Sequence, residues 1–367
     1  MRQLRRASQA EPVRTSDFDY ELPPDLIAQT AAEPRDSARL LVLAPDGQLH
    51  HRTFRDIGDY LRPGDVLVLN DTRVLMARLH GRFGEGGGAV EALLLRDHGG
   101  GKWEAMVRPG RRCRIGRRLF FDGTEAIVER APNDGIALLR FPAEIDPTAR
   151  GELPLPPYIH ERPADPERYQ TVYARVPGSA AAPTAGLHFT AELLQRLEQQ
   201  GVAVRFITLH VGPGTFRPVQ VENPAAHPMH AEWFTIDACT ASEINERRRA
   251  GGRIVAVGTT VVRTLEQVAG ETASGEIVAA SGWTRLLILP GYHFRAVDDM
   301  VTNFHLPRST LLMLVSAFAG RDRVLAAYAE AVRLHYRFYS FGDAMLLLGS
   351  WRKEGRGDRG PSAAPGS

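Results

Sequence analysis

From residue 61 to residue 149 the apolar residues come in short runs, DVLVLN, MARLHGRF, AVEALLLR, KWEAMVRP, RRLFFD, EAIVER and IALLRF, and beyond about residue 185 this pattern stops. The change of period constrains the fold more than any other feature. Runs of four to eight residues between turn signals make strands, whereas apolar residues recurring every three or four positions make helices. Asp122-Gly123 sits between two runs as a two-residue hairpin signal, Asn133-Asp134-Gly135 repeats it farther on, and Gly84 to Gly88 makes a flexible loop. Strands at this even spacing predict a small antiparallel barrel or sandwich over 61–149.

After residue 185 helices and strands alternate. Thr190 caps AELLQRLEQQ with Gly201 as the stop, and VAVRFITLHV follows as a β-branched strand. Thr240-x-x-Glu243 has capping-box spacing before a helix that ends at Gly251-Gly252; the strand RIVAVG and a helix through TVVRTLEQVA come next. A strand TRLLILP, a helix STLLMLVSAFAG, a longer helix from about Arg323 to His335 and a last strand AMLLL complete the series. Such alternation predicts an α/β domain, a parallel or mixed sheet covered by helices and closed in a barrel-like form. The early segment FDYELPPDLIAQ and the strand ARLLVLA join it. The expected organisation is therefore a barrel-like α/β main domain from 16–60 and 150–350, interrupted by a small all-β barrel domain at 61–149. Residues 1–15 and 351–367 read as disordered tails, because they have no periodic apolar face.

With 367 residues, 43% hydrophobic and 24% charged, the chain has ample material for a core, and global disorder is excluded. The net charge is only +2, and both tails are basic, so the middle is slightly acidic. Any nucleic-acid partner must then be held by local clusters and not by a global field. Cys113 and Cys239 are the only cysteines and form no CxxC, which argues against a disulfide framework or a thiolate zinc site and fits a reducing cytoplasm. The basic N-terminus lacks an apolar stretch after it, and the longest apolar run, around Leu311 to Ala319, is too short to span a bilayer.

Several segments carry groups suited to chemistry. TLHVGPGTFRPV places Gly212, Pro213, Gly214 and Thr215 straight after a strand, where α/β sheets bind ligands, although a plain tight turn uses glycines equally well. It does not have the GxGxxG pattern of a dinucleotide site, and no Walker A sequence occurs. VGTTVVRTLE sets Thr259 and Thr260 at a helix start, where free N–H groups favour a carboxylate or phosphate, with Arg263 one turn in; an ordinary helix cap is the alternative. In HPMHAEWF, His230 and Glu232 share one face of an extended chain and can share a proton or ligand; a metal site with His227 or a surface histidine cluster are the alternatives. His188 in AAPTAGLHFT and His305 in TNFHLPRST each precede a predicted helix on the side where a pocket is expected. RPGRRCRIGRR gathers Arg108, Arg111, Arg112, Arg114, Arg117 and Arg118 without an acid, a solvated face or a surface that tracks phosphates.

Taken in order, GDVLVLNDTRVLMARL, AAPTAGLHFT, TLHVGPGTFRPV, HPMHAEWF, VGTTVVRTLE and TNFHLPRSTLLMLVSAF resemble the S-adenosylmethionine:tRNA ribosyltransferase-isomerase family of queuosine biosynthesis, and FDYELPPDLIAQTAAEPRDSARLLVL resembles its N-terminal segment. The resemblance covers nearly the whole chain between the tails. It implies a cytoplasmic, monomeric transferase. The substrate would be tRNA bearing 7-aminomethyl-7-deazaguanine at the wobble position, S-adenosylmethionine would donate the ribosyl group, and epoxyqueuosine-tRNA, adenine and methionine would be released. No permanently bound cofactor and no metal are expected. On this chemistry His188 or the His230/Glu232 pair is assigned as base, and His305 or His210 assists the departure of adenine. Thr259, Thr260 and Arg263 hold the methionine carboxylate. Asn303 and the 212–215 loop complete the substrate contacts, while Asn70, Asp71 and Arg73 of NDTR orient the modified base. The six arginines are assigned to tRNA. Two readings from other classes stay open, a non-catalytic tRNA-binding protein and a metal-dependent hydrolase using HPMHAE.

Overall fold

The structure, a computed structural model, describes residues 13–84, 86–133, 135–212 and 219–349. The two tails therefore lie outside the described residues, except for residues 13–15. Among the described residues the strands are β1 (Arg39–Leu43), β2 (Leu49–Thr53), β3 (Val66–Asn70), β4 (Thr72–Val74), β5 (Arg78–Phe83), β6 (Ala89–Asp97), β7 (Lys102–Arg108), β8 (Arg118–Phe121), β9 (Thr124–Asn133), β10 (Ile136–Arg140), β11 (Val176–Ser179), β12 (Ala203–Leu209), β13 (Glu232–Ile236), β14 (Ile254–Val257), β15 (Ala280–Thr284), β16 (Asp299–Asn303) and β17 (Ala344–Leu348). The helices are α1 (Ala191–Gln199), α2 (Ala238–Arg249), α3 (Thr259–Glu271), α4 (Thr310–Ala319) and α5 (Arg321–Arg333). No helix among the described residues is long and apolar enough to cross a membrane.

The main domain is a nine-stranded mixed sheet in the order β15-β13-β12-β3-β14-β16-β17-β1-β2. Strands β12, β3, β14 and β16 are mutually parallel, so their C-terminal ends share one edge. Each face of the sheet has its own core, one containing α3, α4 and α5 residues and the other the apolar stripe of α1. The α1 stripe is set by Leu193 and Leu197, buried at i and i+4, with the Thr190 hydroxyl accepting from the Leu193 N–H at 3.1 Å. Helix α2 begins earlier than the Thr240/Glu243 spacing predicts. Asp237 is its cap, accepting from the Thr240 N–H at 2.7 Å, and Glu243 is instead drawn into an ion pair with Arg205. The predicted strand TRLLILP also shifts, since β15 ends at Thr284.

The second domain is a closed six-stranded antiparallel barrel, β10-β7-β6-β5-β8-β9, filled by alternating inward residues such as Leu79, Phe83, Val90, Ala105 and Leu139. Asp122 and Gly123 both take positive φ and join β8 to β9 as a two-residue turn, with Phe121 opposite Thr124. The barrel is shorter than the 61–149 span assigned to it. Residues 66–70 are an interior strand of the main sheet, between β12 and β14, and β4 pairs with β11 in a separate two-stranded sheet. The cause is visible in β3 itself: Val66, Leu67, Val68, Leu69 and Asn70 are all buried, as a strand covered on both faces requires, whereas β5 alternates. Run length alone does not distinguish a continuous apolar strand from a half-buried one.

Candidate active site

The shared strand edge carries the polar residues. Asn70, at the end of β3, locks to β12 through two backbone bonds: its Nδ2 donates to the Leu209 carbonyl and its Oδ1 accepts from the Leu209 N–H, each at 2.9 Å. The next residue, Asp71, is buried; it accepts from the Thr208 hydroxyl at 2.6 Å and pairs with Arg175 at 2.8 Å. Thr72 then reaches His210, with its Oγ1 2.8 Å from Nδ1. Arg73 leaves the site. It forms an ion pair with Glu167 near the surface and lines neither cavity described below.

His210 follows β12 and is held on three sides. Its ring stacks on Trp233 with centroids 5.1 Å apart and planes at 23°, Thr72 meets Nδ1, and Gly178 lies beneath Nε2. Gly178 has φ +147°, and a Cβ there would sit 2.5 Å from Nε2, so this close approach needs glycine. Burial holds the His210 pKa below its ordinary value, with Asp71 pulling the other way. The imidazole is accordingly neutral at pH 7.

Two neighbouring cavities open on this edge, and Val211 lines both. The inner one, about 60 Å³, is formed by the start of α3 and the end of β16. Gly258, at φ +90°, turns the chain from β14 into α3, whose N-terminus has no side-chain cap; Thr259 and Thr260 line the cavity there. The uncapped N–H groups and the helix dipole suit an anionic group. Opposite them is Asn303, 3% exposed, whose Nδ2 donates to the Tyr339 carbonyl at 3.1 Å while its Oδ1 has no hydrogen-bond partner among the described residues. His305 also lines this cavity, with Nε2 2.7 Å from the Thr302 hydroxyl, and burial pushes its pKa down to about 3.

The outer cavity, about 1370 Å³, is a cleft between the sheet edge and the barrel. His210, Gly212, His230 and Glu232 line one wall; Arg96 and Trp103 belong to the other. Glu232 is engaged: it accepts from the Gly212 N–H at 2.9 Å and forms a buried ion pair with Arg263, whose Nε donates to the Leu286 carbonyl at 2.9 Å. Among the described residues Arg263 Nη2 has no hydrogen-bond partner.

The sequence assignments thus separate. Asn70 and Asp71 are buried at the same strand edge and line neither cavity, whereas His210, Gly212, His230, Glu232, Thr259, Thr260, Asn303 and His305 line them. His188 does not: it is buried behind Asn303, with Nε2 3.3 Å from the amide, and lines neither cavity. Burial, then Arg337 and Arg35, push its pKa down to about 3. Its ring packs on Phe54, which makes it a support for Asn303. Arg263 and Glu232 neutralise each other rather than each waiting for a ligand. Gly214 and Thr215 lie outside the described residues. Among the described residues no three histidine, cysteine or acidic side chains are grouped to hold a metal ion. The six arginines, Arg108, Arg111, Arg112, Arg114, Arg117 and Arg118, are all exposed. Arg112 and Arg117 lie over the Phe83 ring, and of the six only Arg118 is within ion-pair distance of a described carboxylate, Glu125 at 3.4 Å. Arg108 lies at the far end of β7 from Trp103, about 17 Å away at ~3.3 Å per residue. Sequence reasoning missed Trp103, Trp283 and Arg96 in the cleft, since nothing in their spacing links barrel to sheet.

A family model described as Queuosine biosynthesis protein matches residues 15–347, which takes in both domains and both cavities. The chain belongs to this family. Queuosine biosynthesis proteins similar to it include S-adenosylmethionine:tRNA ribosyltransferase-isomerase of Moorella thermoacetica, 57% identical over 344 residues, covering 92% of this chain and 100% of that protein. The enzyme of the same name from Symbiobacterium thermophilum is 56% identical over 343 residues with the same coverage. Among solved structures, S-adenosylmethionine tRNA ribosyltransferase of Thermotoga maritima is 41% identical with a TM-score of 0.53, covering 91% of this chain and 100% of that one.

Proposed function

We propose that the chain is an S-adenosylmethionine:tRNA ribosyltransferase-isomerase. In this reading it transfers and isomerises the ribosyl group of S-adenosylmethionine onto 7-aminomethyl-7-deazaguanine at the wobble position of tRNA, giving epoxyqueuosine-tRNA, adenine and methionine. Full-length similarity to enzymes of that name supports the reaction, and the pair of cavities on one strand edge is the observation that carries the mechanism. The inner cavity suits the amino-acid end of the sulfonium substrate: the start of α3 at Thr259 and Thr260 attracts its carboxylate, and the unpartnered Asn303 Oδ1 accepts from its ammonium group. Across Val211 the outer cleft is wider than the ~300–1,000 Å³ of ordinary small-molecule sites, leaving space for a nucleotide of the second substrate.

The sulfonium acidifies the adjacent ribose carbon, and a base removes a proton there; adenine leaves with help from an acid. The substrate amine then attacks the opened sugar and gives up its proton, and closure of a sugar oxygen onto the sulfonium-bearing carbon forms the epoxide, breaks the C–S bond and releases methionine. The roles expected from sequence are redistributed. His305, with a pKa near 3, is a poor proton donor at neutral pH, and His188 has no access to a ligand. We assign His210 as the base, with Nδ1–H donating to Thr72 so that Nε2 is free, and His230 in the same cleft as the donor to adenine. Asp71 and Asn70 hold this edge rigid, and the Glu232–Arg263 pair fixes the start of the Gly212 loop. The reading includes a cytoplasmic monomer without a resident cofactor.

The test combines purified protein, S-adenosylmethionine and tRNA carrying the aminomethyl base, following free adenine and nucleoside mass. One adenine per converted nucleoside is expected, and His230→Ala should reduce adenine release at least 100-fold with tRNA binding retained. Adenine without a change in the nucleoside would indicate a nucleosidase, and tRNA binding without adenine a non-catalytic binding protein.

A further inference from the structure

The outer cleft contains an aromatic row of which the reaction chemistry uses only the inner member, His210. Trp233 and Trp283 stand directly opposite each other in the β13–β15 register, and the His210 N–H donates to the Trp233 carbonyl at 2.9 Å, so His210, Trp233 and Trp283 lie side by side across three adjacent chain segments. Residues opposed in this way project from the same face of a sheet. The row runs outward. His210 and Trp233 stack near the catalytic edge, while Trp283, on the terminal strand of the sheet, is 46% exposed. From the other side of the cleft Arg96 of β6 lays its guanidinium 4.6 Å from the Trp283 ring centroid. Trp103 lines the barrel wall, so every tryptophan among the described residues faces this one cleft.

An indole half open to water beside a large cavity leaves apolar surface uncovered, and the only cation over it among the described residues is a planar group that stacks on flat π-systems. The position excludes the small substrate as the occupant. From α3's N-terminus, at the end of β14, to β15 there are four strand spacings, or about 19 Å at ~4.8 Å each, and the ring at that distance is met first by a ligand entering from solvent. Bases of a single-stranded RNA loop can be splayed out and stacked on aromatic and guanidinium planes. Arg285 also lines this rim and adds cationic charge for the attached phosphates.

We propose that a nucleobase of the RNA substrate, the wobble base extruded from its loop, displaces Arg96 from the Trp283 ring and is held between the two as a stacking clamp, with Trp233 leading the base inward to His210. This assignment rests on the reading that an RNA base is the second substrate. The test measures binding, by fluorescence anisotropy, of an anticodon stem-loop carrying the aminomethyl base and of the same stem-loop abasic at that position. Trp283→Ala should weaken binding of the first about tenfold or more and leave the abasic stem-loop unchanged, Trp283→Phe should restore most of the loss, and Arg96→Ala should give a smaller loss with the same base dependence. In turnover assays Trp283→Ala should raise the KM for RNA and leave the KM for S-adenosylmethionine unaltered. Equal weakening of both stem-loops, or no weakening of either, would overturn the clamp. Absence of adenine release by the wild-type protein would instead overturn the reaction assignment, since the binding comparison needs no turnover. Circular dichroism of the half-exposed Trp283 variants checks that the fold is retained.

Discussion

At the strand-end edge of the main sheet, Asp71, Glu232 and Arg263 are buried and each is fixed by named partners, whereas on the barrel Arg108 through Arg118 stand in solvent with one ion pair among six. The two regions carry charge for different ends. A buried ion loses its water, so it is tolerated only where the geometry supplies partners, and that geometry then positions whatever lies next to it. An exposed guanidinium keeps its water and its rotamers; it adds little stability but contributes to the field met by an approaching polyanion. The edge therefore fixes its charges in place, and the barrel loop leaves its charges open to solvent.

The sharpest way to break this contrast is to remove one partner of the buried pair. Glu232→Ala should cost about 3–5 kcal/mol in urea unfolding, because Arg263 is left charged and unpaired, and adding Arg263→Met should recover part of that loss. A cost below ~0.5 kcal/mol would mean that the edge is no more committed than the loop. Acid should have an effect of comparable size. His188 has a pKa of about 3 in the folded protein, below the ordinary 6.5, so the unfolded chain takes up the proton first as pH falls. Its contribution to stability is complete above about pH 6.5 and is lost progressively down to about pH 3. In His188→Gln the fall of Tm over that window should be shallower, and an unchanged slope would remove the assignment of His188 as a buried neutral support. The smallest stability change belongs to the loop. Arg111→Gln with Arg114→Gln should alter unfolding free energy by less than about 0.5 kcal/mol, yet lower the salt dependence of tRNA binding by roughly 0.7–0.9 log units per log unit of salt for each phosphate contact removed. An unchanged salt slope would make the loop an ordinary solvated face.

Much of the architecture was legible before the structure. The Asp122-Gly123 turn, the Thr190 cap and the change of period near residue 185 are local, and local signals survive folding because backbone geometry enforces them. The position of β3 was not legible. An apolar run that is buried on both faces differs from its barrel neighbours only in lacking alternation, and its partners β12 and β14 lie more than 130 residues away. The polar residues drawn from quoted motifs mostly reached the site, but their pairings did not follow from the motifs. Glu232 meets Arg263 because β13 and α3 pack together, which no spacing reveals, and Arg96 meets Trp283 only because the barrel is set against the sheet.

The residues alone specified the helices and most barrel strands, that two kinds of domain are present, and many of the polar groups that stand at strand ends, since these depend on periodicity and on turn and cap chemistry. Folding in three dimensions chose which of those groups are neutralised by one another and which face a ligand. That choice depends on contacts between distant segments and on the water removed around them, and neither quantity is written in the order of the residues.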